Sequence, residues 1–221
     1  MSSGTIDIEV EEFKKLAKGT DVLVYPCLYA WPSKYNPTSP EMHRAWATNY
    51  WYQGADGIYT FNWNAHSYVH RPEDTRFAYQ LGLLREVDNP ELLRGKNKIF
   101  TADRDVPTKR HYPHSWMNAV LPVSLETGKQ TDDVPIMVGE DLTKPPLPKN
   151  IVLKINCESL SDEDKLEIEL NGSPLSKLSR SGDWLTIGLK PNQLKLGRNQ
   201  VALLPVKGKI TVTALEIHVL Y

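Results

Sequence analysis

Aromatic and amide side chains follow two short apolar segments in the first third of the chain, VLVYPCLY (22–29) and GIYTFN (57–62). An aromatic ring can lie against the C–H face of a sugar ring, and an amide can exchange hydrogen bonds with sugar hydroxyl groups. Aromatic walls with a few convergent polar groups are typical of small-ligand sites. These residue types make six candidates for carbohydrate contacts: Tyr29, Trp31, Asn62, Trp63, Asn64 and His66. For Tyr29 and Trp31 the alternative is packing in a core.

Carboxylates, by contrast, are missing from both segment ends. Hydrolysis of a glycosidic bond usually needs two of them, about 5–5.5 Å or 6.5–9.5 Å apart, but the ends read LYAW (28–31) and FNWN (61–64). Asp56 precedes its segment, which favours a structural role. Glu73 and Asp74 suit the first turn of a following helix, where acidic residues are favoured. The sequence therefore predicts no catalytic residue in this chain.

Histidine spacing gives only a weak indication of a metal site. His66 and His70 are four residues apart, and His111 and His114 are three apart. Two histidines on one helical face can share a metal, but both pairs lie in stretches typical of loops and no further ligand completes a set. Motifs that cradle phosphate or a dinucleotide are absent. We predict no metal and no cofactor.

The composition is that of an ordinary globular protein. The 221 residues are 40% hydrophobic and 24% charged, which argues against disorder and coiled coil. With 26 basic and 27 acidic side chains and no long basic run, a nucleic-acid partner is not expected. No apolar run approaches the roughly 18 residues of a membrane span. The polar start Met1-Ser-Ser-Gly predicts no secretory signal.

Helix and strand patterns alternate in the first hundred residues, which predicts β/α units around a parallel sheet. Ser39 and Pro40 are typical of a helix start. Trp46, Asn49 and Tyr50 share one face of that helix, which predicts core packing, with Asn49 bonded to backbone. The predicted helices cover 8–18, 39–53 and 75–86, and the predicted strands cover 22–29 and 57–62.

The second half changes character. After an expected linker at 101–115, seven short apolar or alternating runs and the turn signal Asn171-Gly172 predict an antiparallel β-sandwich. We therefore divide the chain into residues 1–112 and 113–221. Trp184 begins one run, where a core tryptophan is favoured over an exposed sugar platform. Glu140 and Asp141 are expected in a solvated turn rather than at calcium.

These segments also resemble a known family. VLVYPCLYAW, GADGIYTFNWNAH and LGLLREVDNPELLRGKNKIF are similar to the end of the bacterial family 10 glycosylhydrolase-like proteins. The resemblance implies the last two β/α units of a TIM-type barrel, strands seven and eight, followed by a small β-sandwich. In such a barrel the six candidate residues would line the pocket at the strand ends. The resemblance also implies an exported parent protein with its catalytic carboxylates on strands upstream.

Two other interpretations stay open. The first is a non-catalytic carbohydrate-binding or cell-surface protein that uses the sandwich. The second is self-association through uncovered sheet edges, because two parallel strands leave both edges unpaired.

Overall fold

The computed structural model of the chain describes residues 8–29, 38–61, 76–104, 120–128, 133–158, 160–161 and 165–221. Four helices lie in the first half: α1 (Val10–Ala17), α2 (Pro40–Tyr52), α3 (Arg76–Val87) and α4 (Pro90–Leu93). The strands are β1 (Cys27–Tyr29), β2 (Tyr59–Phe61), β3 (Lys98–Thr101), β4 (Val123–Glu126), β5 (Val134–Val138), β6 (Asn150–Glu158), β7 (Lys165–Leu170), β8 (Ser173–Pro174), β9 (Ser179–Ser181), β10 (Trp184–Leu189), β11 (Gly197–Lys207) and β12 (Lys209–Leu220). A 3₁₀ helix covers Pro191–Gln193.

The prediction of TIM-type barrel units is wrong. Strands β1 and β2 do pair in parallel, but each is only three residues long. The other paired strands of the described residues form antiparallel sheets, and four helices are too few to surround a parallel barrel. A parallel sheet needs helices over both of its faces. The alternation of helix and strand patterns near the N-terminus therefore did not define the class of the fold.

Two antiparallel sheets dominate the molecule. One has six strands in the order β3-β12-β6-β10-β9, with β4 also paired to β12, and the other has four in the order β5-β11-β7-β8. Buried and exposed residues alternate along β6, as expected for a strand with one face in a core. The apolar side chains between the sheets form one hydrophobic cluster that includes Phe100, Leu153, Leu203 and Leu215.

Strand β3 lies before the predicted boundary at residue 112, yet it pairs with β12 over Lys98–Thr101. Ala102 also donates its N–H to the Leu215 carbonyl oxygen at 2.9 Å. The expected linker over 101–115 therefore starts inside the sheet, and residues 105–115 lie outside the described residues. The sheet recruits this segment because KIFT buries Phe100 completely between the two layers.

Helix α2 packs across the sandwich where β3 and β5 form neighbouring edges. Its buried Trp46 donates an Nε1–H bond to Thr101 Oγ1 at 3.0 Å. Asn49 donates to the Met137 carbonyl oxygen at 3.2 Å and accepts from the Gly139 N–H at 2.8 Å. The predictions that this helix face is core and that Asn49 bonds to backbone are confirmed.

Gly139 packs against the backbone of α2 with no room for a side chain, and a substitution there tests this packing. A Cβ built there would lie 2.7 Å from the Thr48 carbonyl oxygen and 2.9 Å from Asn49 Cα, and both are backbone atoms that cannot rotate away. We expect Gly139→Ala to lower the free energy of unfolding by about 1–3 kcal/mol or more, as overpacking does. Urea unfolding of the full chain measures this change in the free energy of unfolding.

Gly188 in β10 is the matched control, because a Cβ at that position would meet nothing within 4 Å and the φ of the residue is not positive. Gly188→Ala should leave stability unchanged or raise it slightly, since alanine restricts the unfolded chain. Equal effects of the two substitutions would contradict the close packing of α2 on β5.

Candidate functional site

The strand ends predicted as a sugar site are only partly described. Tyr29 lies opposite Phe61 in the parallel pair, so the carboxyl ends of β1 and β2 lie at the same edge of this small sheet. The predicted contacts Trp31, Asn62, Trp63, Asn64 and His66 lie outside the described residues, as do Glu73, Asp74, His70, His111 and His114. The strand-end site stays a prediction.

Asp56 has the structural role that the sequence predicted. Its carboxylate accepts two bonds from Lys14 Nζ, at 2.6 and 2.8 Å, and one from the Val24 N–H at 2.8 Å. These hydrogen bonds, that from Lys14 first, hold the pKa of Asp56 below its usual value. The residue therefore links α1 to the segment before β1 rather than acting on a substrate.

Trp184 is not a core residue, so the favoured interpretation from the sequence is wrong. Leu185, Ile187 and Leu189 of β10 are buried between the sheets, and alternation along the strand puts Trp184 on the opposite, outer face. The segment WLTIGL already contained this signal: three aliphatic residues at period 2 occupy the core face. Trp184 shares the outer face with Thr186 and Gly188 and is partly exposed.

Polar side chains surround this tryptophan in register. Asn156 of β6 lies opposite Trp184, and Lys154 lies between Thr186 of β10 and Glu216 of β12. Lys154 Nζ sits 4.9 Å from the centre of the Trp184 ring, a cation–π contact. We call this surface the Trp184 face; it consists of Lys154, Asn156, Trp184, Thr186, Glu216 and His218.

Side-chain bonds fix the polar part of the Trp184 face. His218 Nε2 lies 2.7 Å from Glu216 Oε2, and Thr213 Oγ1 donates to Asn156 Oδ1 at 2.6 Å. The contact with His218 holds the Glu216 side chain in place on the sheet, and the bond from Thr213 holds the Asn156 side chain. The face thus combines one large ring with preordered hydrogen-bonding groups.

A concave region lies between the helices and the sandwich and is separate from the Trp184 face. This interface cleft has a volume of about 410 Å³, within the range of small-ligand pockets. Trp51 and Tyr52 of α2 form one wall, and the loop that contains Glu140 and Asp141 forms another. Its aromatic walls make it the principal rival to the Trp184 face.

The carboxylates of the interface cleft have structural partners. Glu140 Oε2 lies 2.8 Å from Nζ of the fully buried Lys98. Asp141 accepts from the Thr143 hydroxyl at 2.6 Å and pairs with Lys144 at 3.0 Å, as the predicted solvated turn requires. Those hydrogen bonds, that from Thr143 first, lower the pKa of Asp141 to about 2.

A carboxyl group that acts as a general acid would need a raised pKa, because it must stay protonated near neutral pH to donate its proton. In the described part of the chain, the three carboxyl groups whose pKa departs clearly from its ordinary value all have it lowered: Asp56, Glu86 and Asp141. These three carboxylates are therefore held as anions by the neighbouring groups that they bind.

Neither a metal centre nor a membrane-spanning helix occurs in the described ranges. No three His, Cys, Asp or Glu side chains in those ranges come together as a set of metal ligands. None of the helices described above combines the length and the hydrophobicity that a bilayer crossing requires.

Comparison with known proteins shows only distant structural similarity. No family model and no curated protein matches the chain. Among solved structures, the chain is similar to a beta-porphyranase of glycoside hydrolase family 86 from the human gut bacterium Bacteroides plebeius, at 13% identity and a TM-score of 0.36. The match covers 56% of this chain and 20% of the porphyranase, so it spans about a fifth of that enzyme.

This neighbour is a glycoside hydrolase, but the similarity is too low to carry an argument about fold or function. It does not show the expected relation to the family 10 glycosylhydrolase-like proteins. The function must therefore be inferred from the residues of the chain itself.

Proposed function

We propose that this chain is a carbohydrate-binding protein that holds glycan on the Trp184 face without cleaving it. The observation that carries the proposal is the position of Trp184, the only tryptophan after residue 116, on the outer face of the six-stranded sheet. A tryptophan on an outer face places a large ring with a polar N–H where a partner can contact it, and tryptophan is enriched at interfaces for this reason.

The neighbours of the ring suit a sugar. Hydroxyl groups need hydrogen-bonding partners close to an apolar surface, and the Trp184 face offers Lys154 and Asn156 as donors beside the ring. Gly188, which follows Thr186 on the same face of β10, has open space where a side chain would stand, so this position leaves the outer face uncovered. The sheet holds these groups rigidly, which lowers the entropy cost of binding.

The pairing of the carboxylate on the Trp184 face supports binding without cleavage. Hydrolysis needs a paired acid and base or nucleophile, whereas Glu216 is committed to His218. The strand-end residues Tyr29, Trp31, Asn62, Trp63, Asn64 and His66 remain a second proposed contact surface for the same ligand class. The described carboxyl ends of β1 and β2 meet where Tyr29 lies opposite Phe61.

Affinity electrophoresis of the full chain tests the proposal, in gels that each contain one soluble polysaccharide: hydroxyethylcellulose, xylan, glucomannan, galactan, pectin or porphyran. We expect retardation in at least one gel. Trp184→Ala should weaken that binding about thirtyfold, as for a hot-spot residue worth roughly 2 kcal/mol. Trp184→Phe should keep most of it, because a ring remains.

Tyr52→Ala is the matched control, since Tyr52 is an aromatic residue of the interface cleft with 43% of its surface exposed. This variant should bind like the unaltered chain. If Trp184→Ala kept full binding and Tyr52→Ala weakened it, the binding site would lie in the interface cleft instead. Absence of retardation in every gel would overturn the proposed function.

A further inference from the structure

We infer that the Trp184 face selects acidic glycans, in which a sugar ring carries a carboxylate or a sulfate group. This inference rests on the proposed function and names its ligand class. It starts from the charge of Lys154, which the contacts within the sheet do not neutralise.

Lys154 has a carboxylate beside it in the register but does not pair with it. Its cross-strand neighbour Glu216 instead lies 2.7 Å from His218 Nε2. In the described ranges, no carboxylate lies within ion-pair distance of Lys154, and its ammonium group faces the Trp184 ring at 4.9 Å. The cation thus stands on a partly exposed face with its hydrogen-bond donors available, since an ammonium carries three of them.

Asn156 adds further hydrogen-bond donors to the Trp184 face. Its Oδ1 accepts from Thr213 Oγ1 at 2.6 Å, so the amide N–H groups remain available to a ligand. Asn156 lies directly opposite Trp184 in the sheet. The ring therefore has a cationic donor and a neutral donor beside it.

An acidic sugar complements this arrangement. Its C–H face can cover the ring while its carboxylate or sulfate oxygens accept bonds from Lys154 and Asn156. Hydrogen bonds in which both partners are charged are shorter and stronger than neutral ones. A neutral sugar would gain only the weaker bonds, so the face should prefer the acidic one.

Isothermal titration calorimetry on the full chain tests this preference with three probes: oligogalacturonate, carrageenan oligosaccharide and neutral β-1,4-galactan oligosaccharide. The first carries carboxylates, the second sulfates, and the third neither. We expect at least one acidic probe to bind about fivefold tighter than the neutral one, the size of an exposed charge contact worth roughly 1 kcal/mol. The preference should shrink between low salt and about 0.5 M NaCl, because exposed charges are screened.

Lys154→Gln should abolish the preference for the acidic probe over the neutral one, and Lys154→Arg should retain it. Lys144→Gln, at an exposed lysine of the interface cleft, is the control that removes the same charge elsewhere. Equal affinities for all three probes, or a preference that survives Lys154→Gln, would overturn the inference while the proposed function stands. Failure to bind any probe or any polysaccharide would overturn both.

Discussion

Glu140→Ala should lower the free energy of unfolding by about 3–5 kcal/mol, because it leaves a buried charge without its partner. Lys98 has 0% of its surface exposed. Its Nζ donates to the carbonyl oxygens of Leu93, at 2.5 Å, and Lys96, at 3.2 Å, and lies 2.8 Å from Glu140 Oε2. Alanine removes the only carboxylate of this set and gives the ammonium no new acceptor.

Two comparisons isolate the effect in urea unfolding experiments. Glu91→Ala removes another carboxylate of the interface cleft, one whose side chain is 73% exposed, and should cost no more than about 0.5 kcal/mol. The double substitution Lys98→Met with Glu140→Leu should recover most of the loss, since apolar residues often replace a buried ion pair without penalty. A Glu140→Ala effect as small as that of Glu91→Ala would show that the pair does not stabilise the fold.

The pH dependence gives an independent readout of the same pair. Burial is the largest cause of the lowered pKa of Lys98, and Glu140 opposes it. Below pH 10.5 the unfolded chain therefore binds more protons at this residue than the folded chain, so stability rises with pH toward that value. Glu140→Ala removes the opposing charge, so its stability should rise more steeply than that of the unaltered chain between about pH 8 and 10.

Trp46→Ala is expected to cost about 3–5 kcal/mol, the range for loss of a large buried aromatic side chain. Trp46 is 2% exposed, lies in the hydrophobic cluster of the helices and contacts His43 edge-on at 5.3 Å between ring centres. Its bond to Thr101 also fastens α2 to β3. Removal of the side chain should loosen both the helical cluster and its attachment to the sandwich.

Trp46→Phe separates these two contributions, because phenylalanine fills most of the volume but cannot donate to Thr101. We expect it to cost less than Trp46→Ala but more than zero, with about 1 kcal/mol from the lost hydrogen bond. The same urea titrations provide the numbers. Equal stability of all three proteins would contradict the packing of α2 described above.

Local signals in the sequence predicted local structure well. Ser39 caps α2 by accepting from the Met42 N–H at 3.3 Å, and Pro40 is its first residue. Asn171 and Gly172 both have positive φ in the turn between β7 and β8, as the dipeptide indicates. These features depend on a few neighbouring residues, and the sequence contains all of them.

Long-range pairing was the part that the sequence could not supply. The pairing of β3 with β12 joins residues more than a hundred positions apart, and the pair of Lys98 with Glu140 depends on it. The barrel expectation failed because the apolar run 22–29 was interpreted as a strand covered on both faces, whereas only Cys27–Tyr29 form a strand and Val22, Leu23 and Tyr25 are exposed. The outward position of Trp184, in contrast, could have been predicted from the alternation of aliphatic and other residues in WLTIGL.

The binding of glycan at Trp184 is tested most directly by the indole N–H signals of the full chain in a ¹⁵N-labelled NMR titration. Six tryptophans give six indole signals, which single Trp→Phe substitutions assign. On addition of a polysaccharide fragment that binds in gels, we predict a large shift of the Trp184 signal. The indole N–H of Trp46 donates to Thr101 and that of Trp51 donates to the Val87 carbonyl oxygen. The signals of these two tryptophans should not shift. Shifts confined to Trp31 and Trp63, with Trp184 unmoved, would contradict the account and place the ligand at the strand ends.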